Sequence, residues 1–202
     1  MIKICKLITL LLLFALILTK PVPAQNLKPK TVLSFEVSYF KPRRAEFKEL
    51  YGTGVRVGGV RLDLPIRKNT SISIRGRYFR MSEIDSLAFT NTSLGLMVKR
   101  TFPENEITDY YLAVGVQFEY RRVGFSIPVL NGFSPVPNRR YFNQEEATLS
   151  VAAESGIDVW VLSRFKLSPS VGFHYFPFGD PTTGDFGDTG GFMFSASLGF
   201  RL

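Results

Sequence analysis

The stretch "FMFSASLGFRL", Phe192 to Leu202, decides the reading. Phe192, Phe194, Ala196, Leu198, Phe200 and Leu202 are apolar, and the residues between them are small or polar apart from Met193. A period of two is the signature of a strand with one greasy and one polar face. A strand kept regular to its last residue must be paired on both sides or sit at a protected edge, because an open edge invites aggregation.

The same alternation runs back through the chain, and no segment shows a helical period of convincing length. Eight strands are expected, at 31–40, 54–64, 71–81, 92–102, 109–122, 146–162, 166–176 and 191–202. Their apolar sets include Leu33, Phe35, Val37 and Tyr39, then Leu94, Leu96 and Val98, then Leu112, Val114, Val116 and Phe118. In the second strand Val55 and Val57 give way to Val60, Leu62 and Leu64, a change of phase that a bulge at Gly58-Gly59 would absorb. Pro169 cannot donate to a ladder, so a place near a strand end is expected for it.

The other terminus supplies the compartment. Lys3 and Lys6 precede an apolar run from Leu7 to Leu18, and Val22-Pro23-Ala24 offers small residues before a cut, the layout of a secretory signal peptide. The run is short for a membrane span. Residues 1–24 are therefore read as a signal peptide and 25–202 as one domain. Cys5, the only cysteine of the 202 residues, leaves with that segment, so an exported chain carries no disulfide. Loss of Lys3, Lys6 and Lys20 lowers the formal charge from +8 to +5, which alone does not imply nucleic acid.

Connections alternate between long and short along the chain. That is the habit of a meander barrel crossing a bilayer, with tight turns on the periplasmic rim and long loops outside. An even strand number puts both chain ends on the tight-turn rim. Alternation alone leaves open which face is inside, and a soluble lipocalin-like carrier with a greasy interior is the competing architecture. The polar face favours lipid outside: it mixes serines and glycines with a lumen set of Glu36, Arg75, Arg77, Lys99, Glu119, Arg121, Glu154, Asp158 and His174, and Arg56, Arg61 and Asp63 of the second strand fall on the same face. Small residues suit a narrow eight-strand lumen, where the carboxylates must meet the cations. Tyr39, Phe40, Tyr78, Phe79, Phe102, Tyr110, Tyr111, Trp160, Tyr175, Phe176 and Phe192 lie toward strand ends, as an interfacial girdle requires.

On these features, and on the terminal Leu198-x-Phe200-x-Leu202, the mature chain resembles the small eight-stranded outer-membrane β-barrels of Gram-negative bacteria, of the OmpA and OmpX type. The resemblance implies an antiparallel up-and-down transmembrane barrel whose last strand closes against the first and is read by the outer-membrane assembly machinery. Relatives most often end in phenylalanine, whereas this chain ends in Leu202.

Function is less legible. A structural or surface-interaction protein, monomeric and acting through long extracellular loops, is the expected role. Lys41, Arg43, Arg44, Arg139 and Arg140 sit where lipopolysaccharide phosphates would lie, and arginine forks suit phosphate. The segment "SIPVLNGFSPVPNRRYFN" from Ser126 reads as a long loop of the kind that recognises ligands or surfaces. The alternative is a lipid A deacylase-like enzyme, with His174, Glu154 and Ser195 as a conceivable catalytic set. Ordinary membership of a lumen hydrogen-bond network accounts for the histidine more simply. No cofactor, metal ligand cluster or phosphate cradle is found: "DPTTGDFGD" does not match a calcium loop, and the glycines from Gly52 precede no helix. A general porin is excluded by strand number.

Overall fold

The computed structural model describes residues 30–43, 54–84, 87–105, 107–129, 138–175 and 190–202. The signal-peptide segment, Arg44, Phe176 and the aspartates from Asp180 to Asp188 lie outside them. Eight antiparallel strands in sequence order close into a barrel: β1 (Val32–Pro42), β2 (Val55–Arg67), β3 (Thr70–Ile84), β4 (Leu87–Pro103), β5 (Thr108–Val129), β6 (Asn138–Leu162), β7 (Phe165–Tyr175) and β8 (Gly191–Arg201). The terminal stretch is the closing strand. β8 pairs with β7 on one side and with β1 on the other, from Val32↔Arg201 to Pro42↔Gly191, so no edge remains.

The orientation of the pleat follows the alternation. Phe35, Val37, Leu94, Leu96, Phe118, Phe194 and Leu198 are exposed on the outside, Phe35 and Leu94 both at 61%. The residues between them, Ser34, Glu36, Ser93, Glu119 and Ser197, are buried in the lumen. A water-borne carrier with a greasy interior would show the reverse.

Three expectations are corrected. There is no bulge at Gly58-Gly59: β1 and β2 pair without interruption from Val32↔Asp63 to Phe40↔Val55. Val55 and Val57 keep the phase of Arg61 and Asp63 and face inward, joining Phe40, Phe79, Phe89 and Met193 in an apolar cluster. Arg56, assigned by sequence to the polar lumen face, is exposed. The girdle is correspondingly smaller, since Phe40, Phe79 and Tyr111 point inside while Tyr39, Tyr78, Phe102, Tyr110, Tyr175 and Phe192 are exposed.

Pro169 sits in the middle of β7 rather than near its end. β6 pairs with β7 from Val151↔Tyr175 to Gly156↔Ser170, then again at Val159↔Leu167 in the same register. Between these stretches the ladder is open at Ile157 and Asp158, opposite Pro169 and Ser168, and a register shift follows between Trp160 and Leu162 at the turn. The Trp160 N–H donates to Ile107 on the other side, so by alternation Ile157 is turned toward Pro169, which has no hydrogen to give. One missing donor accounts for both lost pairs, and on its other side Pro169 still pairs with Ala196.

The third correction concerns the long connections. β3 and β4 stay paired out to Ile84↔Leu87, and β5 and β6 out to Val129↔Asn138. Most of the segment read as a loop from Ser126 is thus a two-stranded ribbon. Val123, Phe125, Ile127 and Val129 keep the alternation of β5, but Pro128 reads as a breaker and Asn138 to Glu145 opposite show no alternation, so the segment read as a loop.

Candidate functional site: a charged lumen between two rims

The lumen is built in layers by residues that alternate with the outward apolar set. Nearest the tight-turn rim, Asp158 holds two lysines, Lys99 Nζ at 2.7 Å and Lys166 Nζ at 2.9 Å. Asp63 lies 3.4 and 3.5 Å from the same two groups. Ser168 Oγ donates to Asp158 at 2.6 Å and Ser73 Oγ donates to Asp63. Lys99 Nζ also sits 4.0 Å from the centre of the Tyr111 ring, a cation over an aromatic face.

In the middle, Glu154 is the hub. Arg75 grips it with both terminal nitrogens, at 2.6 and 3.0 Å, Tyr111 donates to it at 2.6 Å and Arg61 lies at 3.2 Å. Glu36 takes Arg77 at 2.6 Å and Arg75 at 3.4 Å, and Ser38 Oγ donates to it at 2.9 Å. Further out, Glu119 accepts from Asn91 at 2.7 Å and from Ser150 at 2.8 Å, with Arg121 at 3.7 Å. The apolar cluster of Phe40, Val57, Phe79 and Phe89 lies beside this layer; its members line the same cavity of about 30 Å³ as Gln117, Glu119 and Arg121. Paired and hydrogen-bonded charge is the only form in which so many ions are tolerated out of water.

All nine polar residues singled out from sequence are therefore buried, and eight of them share ion pairs. Arg61 and Asp63, which the sequence also puts on the polar face, belong to the same network, and so do Lys166 and Tyr111, which the sequence reading left out of it. Phase would have found them: Lys166 alternates with Ser168, and Tyr111 alternates with Ala113, Gln117 and Glu119. The backbone also makes room for the phenol. A Cβ at Gly156 would lie 2.6 Å from the Tyr111 ring and hydroxyl, and 2.7 Å from the Pro169 carbonyl.

The candidate catalytic set is not assembled. His174 pairs across with Ala152 rather than Glu154, and its Nε2 accepts from Arg77 Nη1 at 3.0 Å. Glu154 is occupied as described, and Ser195 Oγ donates to Ser38 Oγ at 2.8 Å, since the single Ser38 hydrogen goes to Glu36. Ser195 stands opposite Ser170, four residues along β7 from the histidine. Among the described residues no group of three or more His, Cys, Asp or Glu side chains is arranged to hold a metal ion.

At the long-connection rim, Lys41 and Arg43 are exposed, and the Arg43 N–H ties to the Gly190 carbonyl at 3.0 Å. Arg139 and Arg140 lie at the outer end of β6, paired with Pro128 and Ile127. At the opposite rim are the first and last described residues, Lys30 and Leu202, and the tight turns at Lys68-Asn69 and Ser163-Arg164.

This is the class of fold defined by small eight-stranded outer-membrane β-barrels: closed, antiparallel, apolar outside and polar within. Solved structures of that class superimpose on it. Neisserial surface protein A matches with a TM-score of 0.62 at 10% identity, over 85% of this chain and 97% of that one. Ail, the attachment invasion locus protein of Yersinia pestis, matches at 0.56 and 10% identity, over 87% and 100%. The outer membrane protein OprG from Pseudomonas aeruginosa matches at 0.56 and 8% identity, over 89% and 99%. No protein-family model and no curated protein sequence matches the chain.

Proposed function

We propose that the chain is an integral outer-membrane protein of a Gram-negative bacterium, exported by residues 1–24 and inserted as a monomeric barrel of residues 25–202. Its lumen is closed by ion pairs and the apolar cluster. It serves a structural or surface-interaction role through its outer rim, with no cofactor and no nucleic-acid partner. The observation that carries this reading is the pairing of a continuous exposed apolar wall with a buried ionic interior, which only a hydrocarbon surround makes favourable.

Outer-membrane lipid is the first partner, lipopolysaccharide among it. Lys41 and Arg43 of the long-connection rim, Arg44 next to them in sequence, and Arg139 and Arg140 on the outer part of β6 supply cations on the lipopolysaccharide side. The closing strand with its Leu198-x-Phe200-x-Leu202 end is the part offered to the assembly machinery. An extracellular ligand would meet the projecting ribbons β3–β4 and β5–β6.

Two measurements test the reading. Fractionation should recover the protein only with detergent from the outer membrane, and its folded form should migrate differently on a gel before and after boiling. Recovery from the periplasm without detergent would point to a soluble carrier. In planar bilayers the wild-type protein should show no steady open channel. The enzyme alternative is read from lipid A of cells with and without the gene. Unchanged acyl chains are expected, and a change abolished by His174→Ala would establish the alternative instead.

A further inference from the structure

At the tight-turn rim the lumen ends in a cavity of about 140 Å³ that the ion-pair network floors but does not fill. The floor is the cluster of Asp63, Asp158, Lys99 and Lys166, two carboxylates against two ammoniums. Nearer the opening that balance is lost. Lys30, Arg67 and Lys68 line the mouth with Asp109 as the carboxylate among them, and Asp109 already accepts the Trp160 Nε1 hydrogen at 3.0 Å. Arg201, beside the mouth, is engaged elsewhere: its guanidinium carbon lies 3.9 Å from the centre of the Trp160 ring, and it donates to the Ser163 carbonyl at 3.1 Å.

We propose that this mouth is a binding site for one compact dianion of the phosphate type, held by Lys30, Arg67 and Lys68. Lys68 carries the inference. Its Nζ is buried and has no hydrogen-bond partner, although the residue stands in the tight turn between β2 and β3, with water close by. An ammonium taken out of water without an acceptor is costly, and an anion in the cavity removes that cost. The turn itself is anchored, because the Thr101 N–H donates to the Asn69 carbonyl at 2.9 Å.

Charge sets the valence. With the floor neutral, three cations against one carboxylate leave two positive charges lining the mouth, which a dianion cancels and acetate or chloride does not. The donors set the shape. Ser71 lies opposite Lys99 and Thr101 opposite Tyr111, so both face inward and put hydroxyl groups on the wall beside the cations. Ammoniums, a guanidinium fork and hydroxyls arriving from β2, β3 and β4 suit a tetrahedral oxyanion, which accepts hydrogen bonds in several directions at once. Size sets the limit. A water takes about 30 Å³ in the liquid, so the cavity admits the ion with a little water beside it and excludes a nucleotide. The site belongs to the barrel alone; only its facing the periplasm rests on the membrane reading given above.

The test is a titration of the folded full-length mature protein, in uncharged detergent and a buffer free of phosphate and sulfate, at mildly alkaline pH and constant ionic strength. Inorganic phosphate is the probe, read by calorimetry and by the emission of Trp160, the single indole of the chain, which lines the cavity. A saturable response to phosphate is expected, and none to acetate. Lys68→Gln should weaken the affinity about tenfold or more, and Arg67→Gln should weaken it in the same direction should the first variant not fold. Arg164→Gln, an exposed cation of the same rim that does not line the cavity, should leave it unchanged. No saturation by either readout, an equal response to acetate, or undiminished affinity in both Lys68→Gln and Arg67→Gln overturns the site. A protein that stays in solution without detergent would instead overturn the membrane reading, and the same titration in plain buffer would then decide the site.

Discussion

Glu154→Gln is the sharpest probe of the ionic interior. The carboxylate is buried, faces Arg75 in a two-point contact at 2.6 and 3.0 Å, and lies 3.2 Å from Arg61 and 3.6 Å from Arg77. The amide keeps the shape and an oxygen for the Tyr111 hydroxyl but removes the charge. Arg75 and Arg77 are then left with Glu36, and Arg61 with Asp63 at 3.6 Å. Breaking a buried pair by deleting one partner costs about 3–5 kcal/mol. Because Arg75 and Arg77 both retain Glu36, a loss of about 3 kcal/mol is expected. The assay is urea unfolding in detergent micelles, followed by the shift between folded and boiled gel bands. Glu145→Gln is the control. Its ion pair with Arg122, at 3.5 Å, is half exposed on both sides and should be worth less than about 1 kcal/mol. Equal losses for the two variants would refute the claim that the lumen network is desolvated.

Three further outcomes check other parts of the structure. Pro169→Ala restores the missing donor opposite Ile157 and should stabilise by about 1 kcal/mol, with the new amide at 169 slow to exchange its hydrogen; a fast-exchanging amide would mean the seam is open for another reason. Gly156→Ala drives a methyl into the Tyr111 ring and should cost about 1–3 kcal/mol in urea unfolding, much less in a Tyr111→Ala background. Val116→Arg, on the outward face between Leu96 and Val151, should cost about 2–4 kcal/mol in lipid and almost nothing if that face met water.

Strand number, order and the inward placement of charge were legible because each strand embedded in the barrel has two unlike sides and the pleat repeats every second residue. Leu94, Leu96 and Val98 against Ser93, Gly95 and Lys99 leave little choice. Two kinds of residue escaped that logic. Val55, Val57, Phe79 and Met193 are apolar yet inward, so a rule that equates apolar with outside misplaces them and invents a bulge to keep its phase. Residues 123–129 and 138–145 pair as a ribbon continuing β5 and β6, but Pro128 interrupts the alternation of Val123, Phe125, Ile127 and Val129, and Asn138 to Glu145 carry none. The gap in the ladder at Pro169 had a visible signal, a proline within an alternating run, but where it falls along β7 needed the register of β6 and β8.

The stack of Arg201 on Trp160 gives the molecule a built-in optical reporter. The indole is the only one in the chain, it sits on β6, and the cation above it is carried by the strand that completes the ring. Emission from that single fluorophore therefore registers when the last strand arrives, so the final event of insertion can be timed in an unlabelled protein.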